Sequence, residues 1–186
     1  MAKDYGFKAT PVDENKPISE YTKKEARLMF EWYLDDLPKR IQYLFDYINE
    51  SVDIPIEYTF ETFKNVISWL STNIKIEFKS SKEIAEEKKK VPEIAWESIA
   101  DWKFTEESVL IIMAVAGYLG MTMINELKNS HWELDTYKKS RDYNRAVIIT
   151  QTGNQLSPIN IVDMLAHKII QHKEYNIESM IEAWKW

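Results

Sequence analysis

The feature that most constrains this chain is the run "VLIIMAVAGYLGMTMI", Val109 to Ile124, which holds no charged residue. A helix that is apolar on every side has to be surrounded by other elements. The run therefore predicts a central helix over about residues 105–128. Thr105, Glu106 and Glu107 suit its positive N-terminal end, and Lys128 suits its negative end. The fold expected around it is mainly α with a minor β part: five to seven helices and one small β-hairpin near residues 132–151.

Two of the four glycines in the chain, Gly117 and Gly120, fall inside this run. Each costs a helix about 1 kcal/mol relative to alanine. With Ala116 they form one smooth face at helical spacing. A neighbouring helix or the hairpin could pack closely against that face and offset the cost. The alternative is a cleft for a ligand or a partner's side chain. The pattern is not a phosphate loop, because no strand precedes it and no Lys-Ser/Thr follows.

The other elements read from periodicity and caps. "TKKE", Thr22 to Glu25, is a capping box. Behind it Ala26, Met29, Phe30, Tyr33, Leu37, Ile41, Leu44, Phe45 and Ile48 form an amphipathic stripe. Pro38 interrupts the stripe without shifting its phase, which predicts a kinked helix or two helices nearly in line. Phe60, Phe63, Ile67, Leu70 and Ile74 mark a second helix. "IKIEF", 74–78, reads as a short strand or a frayed helix end. "SSKE", Ser80 to Glu83, opens a polar helix that ends before Pro92. The segment 91–104 reads as irregular, pinned to the core by Trp96 and Trp102. Ser157 with Pro158 starts a helix carrying Ile161, Met164, Leu165 and Ile169. Asn176 caps a short last helix. Residues 1–20 read as extended, and 21–186 as one globular domain, as 186 residues allow.

Composition limits the function classes. The net charge is −6, whereas phosphate binding needs a basic face, so no nucleic-acid partner is expected. Lys88 to Lys90 follow Glu86 and Glu87 directly and read as a solvated face. Cysteine is absent, which removes disulfides and thiolate chemistry. The N-terminal stretch is charged and lacks an apolar signal core. The apolar run is shorter than the ~20 residues of a membrane span. A cytoplasmic protein without a membrane partner is expected.

The candidates for chemistry are few. Asp163 and His167 lie four residues apart and can share a helix face, as a general-base pair or part of a metal site. His131 or Glu126 would have to complete such a site, and no HExxH or second matched pair is present. The plainer reading is an ordinary surface contact. Asp35/Asp36, Glu86/Glu87 and Glu106/Glu107 are sequence neighbours that point apart on a helix. No cofactor and no metal are expected.

Three segments carry a family resemblance: "EWYLDDLPKRIQYL" (31–44), "GYLGMTMINE…HWELDTYKKSRDYNRAVI" (117–148), and the helix after "SP". Over about residues 20–175 the chain resembles a loose group of small bacterial proteins, several of them similar to immunity or accessory proteins of secreted antibacterial toxins. It departs from the group at Met121, where an acidic residue is common, and at Ala146, where proline is usual. The resemblance implies a non-enzymatic protein-binding protein that covers a basic toxin, with charge complementarity speeding association. Exposed aromatics would form its interface: Trp184 and Trp186 in the tail, Tyr137 and Tyr143 in the hairpin, and the notch at Gly117 and Gly120. The tail tryptophans could instead fold back onto the core. The alternative functions are a small hydrolase using Asp163 and His167, and a regulatory subunit that forms a homodimer through the tail helix.

Overall fold

The computed structural model describes residues 9–13 and 15–185. It is mainly α, with the long apolar helix at its centre. Helix α4, Glu106–Glu126, buries Ile111, Ile112, Val115, Tyr118, Leu119 and Met123. Thr105 caps it by accepting a hydrogen bond from the Ser108 amide. By length and composition α4 could cross a membrane, but 67% of its most apolar window is buried inside the fold. It packs against the helices α1 (Lys23–Ile48), α2 (Phe60–Asn73) and α5 (Pro158–Ile170).

Helix α1 begins at the capping box: the Thr22 amide donates to Glu25 Oε2 at 2.7 Å, and the Glu25 amide donates to Thr22 Oγ1 at 3.2 Å. It runs through Pro38 as one helix of 26 residues. The apolar stripe keeps its phase there, so packing on α4 holds the helix together where the Leu34 carbonyl loses its usual donor. Its buried residues are the stripe, including Ala26, Leu37, Ile41, Leu44, Phe45 and Ile48, with one charged residue added. Asp36 is wholly buried and pairs with Arg40 Nη2 at 2.9 Å, while the Arg40 guanidinium lies 5.1 Å from the Trp32 ring centre.

The hairpin expected near 132–151 is present and gains a third strand. Strand β3, His131–Leu134, pairs antiparallel with β4, Ala146–Ile149, and β4 pairs with β5, Gln155–Leu156. A second, two-stranded sheet joins β1, Ile76–Phe78, to β2, Trp102–Phe104. Within "IKIEF", Ile76–Phe78 form a strand because residues 24 to 28 positions away supply their partners, while Ile74 ends α2 as its C-cap. Helix α3, Ser81–Lys88, and a 3-10 turn at Glu93–Ser98 lie between β1 and β2, and neither buries a residue.

Contrary to the expectation that it pins 91–104 to the core, Trp96 does not reach that core. It is exposed, its indole donates to the Lys88 carbonyl at 3.1 Å, and the Lys88 ammonium lies over its ring. Trp102 does anchor the segment, packing on Phe104 and His167. Within the N-terminal twenty residues, Ile18–Glu20 form a 3-10 turn rather than extended chain. Ser157 precedes α5, but its hydroxyl makes no cap and is buried with no partner among the described residues; Pro158 alone marks the start. The last helix, α6 (Ile177–Trp184), is capped by the Asn176 side chain at the Ser179 amide.

Candidate functional site

The glycine face is filled from two directions. A Cβ added at Gly117 would come closer than 3.0 Å to Leu37 Cδ1 on α1, and one at Gly120 closer than 3.0 Å to Trp132 Cζ2 and Cη2 on β3. One glycine admits a helix and the other admits the sheet. Both are therefore packing notches, and protein side chains occupy the face that could have held a ligand.

Trp132, sunk against Gly120, becomes the wall of a cleft beside it. Tyr33 meets Trp132 edge to face, with ring centres 5.6 Å apart and an interplanar angle of 81°. Around them lies a cavity of about 220 Å³. Helix α1 contributes Met29, Phe30, Trp32 and Tyr33, four positions in little more than one turn; α4 contributes Met113; the start of α5 contributes Pro158 and Ile159. Asn144 and Arg145, at the end of the long β3–β4 connection, and Ala146, the first residue of β4, close it, with Ile18 and Tyr21 from the N-terminal side. Ligand pockets commonly measure about 300–1,000 Å³, so this one suits a small molecule or a single side chain.

Asn144 fixes the mouth of the cleft. It sits in left-handed backbone, φ 64°, a conformation asparagine tolerates. Its side-chain amide donates to the Ile18 and Tyr21 carbonyls at 2.9 and 3.3 Å, and its backbone amide donates to the Asp135 carbonyl at 2.7 Å. The Asp135 carboxylate in turn accepts from the Tyr137 amide and the Gln155 side chain, each at 2.9 Å. Burial opposes the charge on Asp135, but these bonds and the Ser140 hydroxyl outweigh it and hold the carboxyl below its ordinary range.

The chemistry of the lining is simple. Burial pushes the Tyr33 phenol far above its ordinary value, against a weaker pull from Arg40, so it stays a neutral donor. Its hydroxyl makes no hydrogen bond among the described residues. The Trp132 indole N–H is shut off from solvent and has no acceptor among the described residues, a cost of about 1–3 kcal/mol that the ring's large buried area offsets. Arg145 is half-buried, and no carboxylate pairs with its guanidinium among the described residues.

The residues singled out from sequence lie elsewhere. His167 Nδ1 is 2.9 Å from the Asp163 carbonyl and 3.5 Å from its carboxylate, and both side chains are about half exposed. The His167 ring packs against Trp102 and Phe104, at 5.4 and 4.9 Å. His131 faces Glu133 on β3 at 3.4 Å. Among the described residues no three His, Asp or Glu side chains converge for a metal ion. Trp184 folds back onto Phe60 and Phe63, at 6.0 and 6.5 Å, and Trp186 lies outside the described residues. Tyr137 is 65% exposed and Tyr143 half-buried. None of the described ones lines the cleft. The signal that could have located it is "MFEWY", 29–33, which puts three aromatic residues and a methionine into five positions. No protein-family model, curated protein or solved structure matches the chain.

Proposed function

We propose that this protein acts by binding rather than by catalysis, and that the cleft between α1, β3 and the β3–β4 connection is its binding site. One observation carries the reading: aromatic and apolar side chains from six separate parts of the chain enclose the cavity, and its described lining holds no carboxylate, histidine or serine that could act as base or nucleophile. A concave apolar site with a few polar groups is the usual form of a ligand site. The test uses the environment-sensitive fluorophore 1-anilinonaphthalene-8-sulfonate with the wild type and with Ala146→Trp, which fills the cleft from its rim. Saturable binding that the variant loses, with its thermal transition unchanged, supports the site. Equal binding by both proteins would refute it.

A second reading, a protein partner of the kind the immunity-like resemblance implies, rests on a different surface. The arm formed by β1, α3, the 3-10 turn and β2 leaves Phe78 77% and Ile94 95% exposed, two apolar side chains that a partner could cover. A basic toxin would suit the net charge of −6. Capture of such a protein by the wild type but not by Ile94→Asp with Phe78→Asp supports this reading, and capture unaffected by the pair would count against it.

A further inference from the structure

Arg145 is out of balance with its surroundings. The chain has 30 acidic and 24 basic residues, so carboxylates are plentiful. Arg27 and Arg40 each use one, Glu31 and Asp36 respectively, and Arg141, which pairs with none among the described residues, is exposed to water. Arg145 is half-buried at an apolar cavity, yet it has no carboxylate partner among the described residues. The acids nearest in its own loop are engaged elsewhere. Asp142 accepts from the Asn160 side chain, and Asp135 from the Tyr137 amide and Gln155.

An unpaired charge beside low-dielectric walls is costly and is relieved when an opposite charge arrives. We propose, resting on the cleft being the binding site, that it takes a small apolar molecule bearing one carboxylate. The carboxylate meets the Arg145 guanidinium, and the apolar body lies against Tyr33, Trp132 and Met113. The planar guanidinium fork matches a carboxylate with two parallel hydrogen bonds. The free Tyr33 hydroxyl, kept protonated by burial, is a second donor. A phosphate dianion fits poorly, because Arg145 is the only cation among the lining residues described. A neutral ligand would leave Arg145 as unpaired as before.

Two sources present this chemistry: a free aryl- or alkyl-carboxylic acid, and the C-terminal carboxylate of a peptide ending in an apolar residue. The test is titration calorimetry on the full chain with four probes: 3-phenylpropionate, 3-phenylpropionamide, and a tetrapeptide ending in phenylalanine as free acid and as amide. Wild type should bind at least one acid ten-fold or more tightly than its amide, and the acid that wins names the source. Arg145→Gln should bring that acid down to its amide, and Arg145→Lys should keep part of the preference. Tyr33→Phe should weaken both forms modestly. If acids and amides bind wild type alike, or Arg145→Gln keeps the preference, the carboxylate proposal falls while the cleft survives as an apolar site. If none of the four binds and the fluorophore also fails, both fall together.

Discussion

Gly117 and Gly120 look equivalent in sequence, and their neighbours make them different. At Gly120 the obstacle is a rigid indole locked against Tyr33, whereas at Gly117 it is the terminal methyl of Leu37, which can rotate aside. Gly120→Ala should cost about 2 kcal/mol net, overpacking strain exceeding the propensity gain. Gly117→Ala should stay within about 1 kcal/mol of wild type by the same principles. Urea unfolding of both variants checks this. Adding Trp132→Leu to Gly120→Ala should give a coupling above about 1 kcal/mol; additive losses would show that the indole is not the obstacle. Asp36 is the other singular residue. Its wholly buried carboxylate faces Arg40, so Asp36→Ala should cost about 3–5 kcal/mol by removing one side of a buried ion pair, read as a fall in the urea midpoint. Sequence showed that a small face existed at the glycines. It could not show which neighbours would enter it, because those lie 80 positions upstream in one case and 12 downstream in the other.

Among the elements, the helices were legible because their periods and caps are local. Thr22, Ser80, Thr105 and Asn176 all cap as their sequences imply. Strands depend on partners, and the shorter the strand the less its own residues reveal. β5 is two residues long, and β2 lies in a stretch that reads as irregular. Pro38 tests the balance inside one element. It is exposed within a helix that continues on both sides, where proline forfeits up to about 3 kcal/mol. Pro38→Ala should therefore raise stability by about 1–3 kcal/mol by the same propensities, seen as a higher thermal transition. An unchanged transition would mean that packing on α4 already absorbs the whole cost.

For the whole molecule, exposed ion pairs at two helix starts set the acid limb of stability. Glu25, held chiefly by Lys16, and Glu83, held chiefly by Lys103, each have their carboxyl lowered from 4.5 to about 2. A depressed folded-state value adds stability above the ordinary carboxylate range and loses it as pH falls from about 4.5 towards 2. The thermal transition should drop across that window. Lys103→Gln should shrink the drop, and high salt should narrow the difference between the two proteins. A drop of equal size in both would remove Glu83 from the account.

The sequence by itself determined the mainly α fold and the central place of α4, because an apolar helix has no other stable position in water and caps act over four residues. Tertiary structure alone decided the cleft. Its walls come from residues 18 to 159, its one described cation is Arg145, and the two acids of the same loop, Asp135 and Asp142, are engaged by Gln155 and Asn160. "MFEWY" marks one wall, but the closure of the cleft belongs to distances between side chains, which no local pattern along the chain encodes.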